Sequence, residues 1–252
     1  TNCKYAGRIK NKSSEEVKLL MKGIIAIIPA RGGSKGIPRK NIKLLNGKPL
    51  ISYTIAAAKQ SKHIDRVIVS TEDSEIKEVS ITHGAEIIER PDELAQDKSP
   101  TLSVLQHTIK TLQDNNEKVK LIVLLQSTAQ FQKAKEIDEA IETVLNGNWN
   151  SLISLSSVPK HFNPIWQKKI SDNGQVLNVS DSEPINDDKK STRRQDLKQT
   201  YWKNGQIYII TPETLMEQNS LFGERCTSYI INRNIVNIDT EEDWKQAEKL
   251  EK

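Results

Sequence analysis

The chain has 252 residues, 36% apolar and 28% charged, enough for one α/β domain with an appendage. Its early apolar run at 24–28 is five residues, far short of the roughly 20 a membrane-spanning helix needs. The net charge of +4 comes from residues 1–22, with six Lys or Arg against two Glu; the rest sums to zero, which excludes a broad nucleic-acid surface and requires any anion to bind in a shaped local site.

Residues 1–20 read as a basic extension, with Ser13 and Glu16 at capping-box spacing before a short helical stretch, and the folded domain is expected from 21 to 252. No apolar h-region is present there, so no signal peptide is expected. Cys3 and Cys226 are the two cysteines; they form no disulfide framework or zinc spacing and suit a cytoplasmic protein. Residues 24–28 are a β-branched run without polar alternation, the mark of a strand buried on both faces. A glycine-rich basic segment follows, then a helix with Pro49 in its first turn that runs to about Lys59. Further strands are expected at 66–70, 85–89, 120–125 and 151–156. Helices are expected at 74–83, closed by Gly84, and at 100–113 and 133–145. Residues 158–200 break this rhythm with Pro159, Pro164, Pro184 and a mixed-charge run at 186–194, and read as a long loop or a protruding arm. Elements return at 206–210, 212–217, 229–231 and 241–250. The alternation predicts an α/β, Rossmann-like, mostly parallel sheet with helices on both faces. Ligands of such sheets sit at the carboxyl ends of the strands, here the loops after Ile28, Ser70, Leu125 and Ser156.

The strongest chemical signal is the segment 30–41, directly after the first strand. Gly32, Gly33 and Gly36 permit close approach and positive φ, so that backbone N–H groups can form an anion nest. Arg31, Lys35, Arg39 and Lys40 add four positive charges with no acid among them, a set suited to a polyphosphate. The spacing is neither that of a P-loop nor G-x-G-x-x-G. Ser70-Thr71-Glu72-Asp73 ends a strand and could reach into a site, although Asp73 or Ser74 could equally cap the next helix. Arg90 and Asp97 are open to two readings, a loop salt bridge or a binding site. Gln126-Ser127-Thr128 and the Asn204-Gly205 turn place polar groups at strand ends. Strand alternation would put Asn237 and Asp239 on one face, offering an amide oxygen and a carboxylate to Mg²⁺; Asp239 or Thr240 could also cap the last helix. His63, His83, His107 and His161 show no metal spacing.

With the block Ala-Arg-Gly-Gly-Ser-Lys-Gly-Ile-Pro-Arg-Lys-Asn at 30–41, followed in order by Val69-Ser70-Thr71, Arg90-Pro91, Leu94-Ala95 with Asp97, Leu125-Gln126, Asn204-Gly205 and Ile238-Asp239-Thr240, the chain resembles the acylneuraminate cytidylyltransferases, or CMP-sialic acid synthetases, from Lys22 to its C-terminus. The resemblance implies a Mg²⁺-dependent enzyme in which the anomeric hydroxyl of a nonulosonic (sialic-type) acid attacks the α-phosphate of CTP, giving a CMP-sugar and pyrophosphate. It implies a homodimer with 158–200 as the dimerisation arm, and no nucleic-acid or membrane partner. By the same resemblance Arg31, Lys40 and Asp239 are catalytic, and Arg31, Gly32, Gly33, Ser34 and Lys35 hold the triphosphate. Asn41 and Asn204 contact the nucleotide, Arg90 lies beside the cytosine, and Ser99 and Thr101 help to read the base edge. Gln126 and Arg194 face the sugar acid, and Mg²⁺ rests on Asp239 with Asn237. Two departures stand out: the family continues Leu-Gln with Pro-Thr-Ser-Pro-Leu-Arg, where this chain has Ser127 to Gln132, and it often carries Asp at the position of Asn237. Two other readings stay open, a cytidylyltransferase for a different 2-keto sugar acid and a non-catalytic nucleotide-sugar-binding protein degenerate at Gln126 and Asn237.

Overall fold

The computed structural model describes residues 22–129, 131–179, 193 and 195–250; the proposed cap at Ser13–Glu16 and the sugar-acid residue Arg194 lie outside them. Strand β1 (Ile24–Pro29) leads into the basic segment, then a hairpin of β2 (Leu44–Leu45) and β3 (Lys48–Pro49) and helix α1 (Leu50–Lys59). Next come β4 (Arg66–Thr71), α2 (Ser74–Thr82), β5 (Glu86–Glu89), α3 (Thr101–Asp114), β6 (Leu121–Leu124), α4 (Ala134–Asn146) and β7 (Ser151–Ser157). The remainder is β8 (Lys168–Ile170), β9 (Val176–Asn178), β10 (Tyr201–Ile210), α5 (Pro212–Met216), β11 (Cys226–Ile230) and α6 (Glu241–Leu250).

The central sheet has the order β11-β7-β10-β6-β1-β4-β5. β6, β1, β4 and β5 run parallel, and β10 joins β6 antiparallel, so the sheet is mixed but mostly parallel. The chain steps from β1 to β4 and β5 on one side and then returns to lay β6 on the other side of β1. That reversal makes the carboxyl end of β1 a topological switch point, where an open α/β sheet leaves a crevice. Ile25 and Ile27 pack with Ile68, Ile122, Leu124, Tyr208 and Ile210 against Leu105, Ile109 and Leu112 of α3 and Leu215 of α5. Residues of the other parity, Ile24, Ala26 and Ile28, are also fully buried. α1 packs against β1, β4 and α4. Burial on both faces is why β1 shows no polar alternation.

By compactness the chain divides into two units. One comprises 22–154, 204–229 and 233–250 among the described residues; the other is Leu155–Lys203 with Ile230–Asn232. Within the second, two short 3-10 turns at Lys160–Phe162 and Pro164–Trp166 precede an antiparallel hairpin pairing Lys168 with Asn178.

Beyond that hairpin, which the sequence reading does not include, the structure differs from that reading at several further points. The Asn46-Gly47 dipeptide, with both residues at positive φ, closes the β2–β3 hairpin as a type I′ turn, and Pro49 precedes the helix instead of sitting inside it. β10 begins at Tyr201 and β11 at Cys226, both earlier than the apolar runs alone indicate. Residues 237–239 form no strand: Asn237 makes an isolated antiparallel bridge with Ala129.

Candidate active site

At the switch point lies a cavity of about 450 Å³. One wall is the segment after β1, with Arg31, Ser34, Lys35, Gly36, Lys40 and Asn41. A second part of the lining is the stretch 90–104, with Arg90, Leu94, Gln96, Asp97, Ser99 and Thr101. Gln126, Ser127 and Thr128 line it from the end of β6, and Asp239 from the segment before α6.

The basic segment has no regular secondary structure, so it needs an anchor. Ile37 is fully buried and clusters with Leu45, Leu50, Ile238 and, from α6, Trp244 and Ala247. Docking α6 in this way carries residues 238–239 to the loop. Lys40 Nζ then donates to the Ile238 carbonyl at 2.7 Å and to Asp239 Oδ1 at 3.0 Å. The Thr240 hydroxyl accepts from the Asp243 N–H at 3.2 Å, while the Asp243 carboxylate accepts from the N–H groups of Asp239 and Thr240. Hydrogen bonds from Thr240 hold the Asp243 carboxyl below its ordinary pKa. Thr240 is therefore the capping residue, and the Asp239 carboxylate, with a side chain 73% exposed, faces the cavity.

Gly32 and Gly36 act through closeness and not through left-handed backbone. Gly32, Gly33 and Gly36 are absent from the positive-φ glycines; it is Arg39, at φ 54, that takes this conformation in the loop. A Cβ on Gly36 would collide with the Asp239 carbonyl oxygen, and one on Gly32 with the Asp73 carboxylate. The loop cations are also paired in three dimensions. Asp97 bridges Arg31 Nη1 at 2.8 Å and Lys35 Nζ at 2.5 Å, and the Lys35 contact leads in holding its carboxyl below the usual range. Arg39, not among the cavity-lining residues, pairs with Asp73 at 2.5 Å and Glu75 at 2.9 Å. Asp73 in turn caps α2 by accepting from the Ile76 N–H, and the Arg39 guanidinium depresses its pKa.

Of the residues expected at the site, Arg31, Ser34, Lys35, Lys40, Asn41, Arg90, Ser99, Thr101, Gln126 and Asp239 line one cavity. Asn41 is committed to the loop itself: its amide donates to the Arg31 carbonyl at 2.9 Å and its oxygen accepts from Ser127 Oγ at 2.6 Å. The Ser99 hydroxyl donates to the Glu93 carbonyl, closing the 92–99 turn. Asn204 is not among the cavity-lining residues; it is fully buried, with its oxygen accepting from Ser154 Oγ and the Gln206 N–H. Gly32 and Gly33 are not among the cavity-lining residues, and Asn237 and Gln126 both lie beside Gly205. Two residues carry more of the geometry than the sequence indicates. Asp97 draws two cations together, and Glu72 accepts from the Gly32 N–H at 2.7 Å and from Arg90 Nε at 2.9 Å. The strand-end run 70–73 was the available signal for Glu72.

The altered loop after Gln126 is well tied. Gln132, at the position of the family's arginine, is buried; it accepts from Thr54 Oγ1 at 3.0 Å and donates to the Gln126 carbonyl at 3.0 Å. The Ile238 N–H bonds to the Thr128 carbonyl, and Phe131 meets Tyr53 edge-on. For a divalent cation the available donors are hard oxygens. The buried Asn237 Oδ1 has no hydrogen-bond partner among the described residues, and the Asp239 carboxylate accepts from Lys40 Nζ at 3.0 Å. No group of three or more His, Cys, Asp or Glu residues is placed to hold a metal among the described residues. Such a donor set fits Mg²⁺, which takes few protein ligands and completes its shell with phosphate and water. Among the described residues no helix is long and apolar enough to cross a membrane.

Residues 25–252 match the model of the family described as Cytidylyltransferase. The CMP-N,N'-diacetyllegionaminic acid synthase of Legionella pneumophila is 34% identical over 236 residues, covering 90% of this chain and 95% of that protein. The N-acylneuraminate cytidylyltransferase of Streptococcus agalactiae is 34% identical over 223 residues, covering 87% of this chain but 51% of that protein; the chain thus spans about half the length of the streptococcal relatives. A solved CMP:2-keto-3-deoxy-manno-octonic acid synthetase complexed with CTP shares the fold, with a TM-score of 0.67, 16% identity and coverage of 91% of this chain and 98% of that one. The chain belongs to the cytidylyltransferase family.

Proposed function

We propose that this protein transfers the cytidylyl group of CTP to a nonulosonic acid of the sialic and legionaminic type, forming a CMP-sugar and pyrophosphate. One observation carries the proposal. Lys40 is fixed on Asp239 and the Ile238 carbonyl in a cavity that Arg31, Lys35, Arg90, Ser99 and Thr101 also line. We place the triphosphate on Arg31, Lys35 and Lys40 and the base beside Arg90, Ser99 and Thr101. The anomeric hydroxyl oxygen bonds to the α-phosphorus, the bond to the α,β-bridging oxygen breaks, and pyrophosphate leaves with that electron pair. Such a transfer asks the protein for positioning and charge neutralisation, not for a covalent nucleophile. Arg31, Lys35 and Lys40 stabilise the charge that grows on the leaving group. Gln126 and the 127–132 loop form the sugar side.

Mg²⁺ held by Asp239 would neutralise phosphate charge and acidify the attacking hydroxyl; Asn237, which the resemblance pairs with it, is not among the residues lining the cavity. Asn in place of Asp removes one charge from that position, so weaker Mg²⁺ affinity is expected than with two carboxylates. We place the reaction in the cytoplasm, where CTP is made. The second unit is read as the dimerisation arm, supported by the apolar side chains it exposes, among them Phe162 and Ile170.

The test is pyrophosphate release from CTP, UTP, ATP and GTP with a panel of sialic, legionaminic, pseudaminic and shorter 2-keto sugar acids. Turnover with CTP and one nonulosonic acid is expected, and K40A should lower kcat by about 10²-fold or more, the scale set by loss of one transition-state donor. CTP binding without pyrophosphate release from any acid would favour the non-catalytic reading instead.

A further inference from the structure

We infer that Glu72 is a positioning residue for the nucleotide, setting the triphosphate loop and the base-side Arg90 with a single carboxylate. The inference rests on the CTP reading above and concerns a residue that reading leaves without a role. Glu72 follows the last residue of β4, the strand next to β1, and its side chain is 16% exposed. Oε1 accepts from the Gly32 N–H at 2.7 Å, while Oε2 accepts from Arg90 Nε at 2.9 Å and lies 2.9 Å from Arg90 Nη2.

Each oxygen thus serves a different segment of the site, and the planar carboxylate fixes the spacing between them. The Arg90 side chain is only 4% exposed, and Glu72 is the acid paired with it among the described residues. A buried guanidinium keeps its place only while its counter-charge does. In the basic segment, Gly32 is pressed so closely to this junction that a Cβ would strike Asp73. Its N–H is consequently spent on Glu72, and the loop's remaining N–H groups and cations are set relative to that bond. Neighbouring Arg39 and Asp73 are paired beside Gly32 and hold the loop at the same junction.

The chemistry predicts which replacements break the link. Glutamine has the same shape but one acceptor oxygen; its NH₂ must oppose either the Gly32 N–H or Arg90. Aspartate keeps the charge but is one methylene shorter and reaches one partner at a time. Titration calorimetry with CTP, CMP and inorganic tripolyphosphate on the wild type, E72Q, E72D, R90A and E72Q/R90A separates positioning from simple stability. E72Q is expected to weaken tripolyphosphate and CMP at least tenfold each, with E72D intermediate. R90A alone should weaken tripolyphosphate, a probe with no base, and the double variant should bind it no worse than E72Q. In steady state, kcat and the KM for CTP should both change while the KM for the sugar acid holds. Wild-type affinities in E72Q, or independent effects of E72Q and R90A that add on tripolyphosphate, would overturn the inference. So would losses that follow melting temperature and fall equally on the sugar acid. A wild type that binds no CTP overturns the nucleotide reading itself, a result that is separate from any outcome among the variants.

Discussion

Gly36 shows how much one missing side chain can decide. Its hydrogen occupies space against the Asp239 carbonyl oxygen that no Cβ can share. The same segment supplies the Ile238 carbonyl and Asp239 carboxylate that fix Lys40. An alanine at Gly36 must therefore push 238–239 away from the loop and uncouple the lysine from its two acceptors. Misplacing a catalytic group by about 1 Å can cost on the order of 10²-fold in rate, so G36A is expected to lose about that much in kcat/KM for CTP. Gly33 provides the contrast, because a Cβ there meets nothing within 4 Å. The melting temperature of G33A should match the wild type while that of G36A falls, as followed by circular dichroism. Equal melting temperatures would remove the close approach as the reason for glycine at Gly36.

Among the elements, the basic loop is held by its neighbours. It is tied to α2 through Arg39 and Asp73, to the segment before α6 through Lys40, and to the end of β6 through Asn41 and Ser127. The Arg39 hydrogen bond leads in lowering the Asp73 pKa below its ordinary 3.8. A depressed carboxylate contributes stability that is present above its unfolded pKa and is lost as pH falls through the folded value. R39A should therefore be less stable than the wild type at neutral pH. The gap between them should close as pH drops below about 3.8, which denaturant melts at a series of pH values can follow. A gap that stays constant with pH would show that the pair contributes through packing alone. These ties also mark what could be read in advance. The strands β1, β4 and β6 and the helices between them were legible because both-face burial and helical periodicity are local patterns. Arg31, Lys35 and Lys40 were legible because cations crowd beside glycines within a few positions. Asp97 and Asp239 were singled out too, but not their pairing with these cations: Asp97 lies 66 residues from Arg31 and Asp239 lies 199 from Lys40. The same distance problem hid the link from Glu72 to Gly32, and it made Asn237 look like half of a strand pair when its neighbours are Ala129 and Gly205. The hairpin at 168–178 was missed for another reason, since its strands are three residues long and none of their residues is buried.

At the scale of the whole molecule, the two units differ in what they show to solvent. The larger, sheet-bearing unit closes most of its apolar residues into cores around β1 and α6, leaving a few such as Leu44 and Ile81 exposed. In the second unit, Ile170 is 76% exposed, Phe162 58%, Tyr201 47% and Val179 45%. Scattered exposed apolar residues are ordinary, but several large ones within about fifty residues mark an interaction surface. A second copy of the chain is the occupant proposed above, and closed twofold pairing is the commonest way for such a surface to be satisfied. Light scattering coupled to size exclusion should then give twice the 28.5 kDa chain mass for the wild type at micromolar concentration. Replacing Phe162 and Ile170 by lysine should shift the population to monomer. Because both side chains are already largely exposed, the melting temperature measured at high dilution, where the wild type is also monomeric, should change little. A monomeric wild type, or a double variant that remains dimeric, would remove this surface as the self-association site. A variant that becomes monomeric while its dilute melting temperature collapses would mean that the two residues hold the second unit together instead of joining two copies.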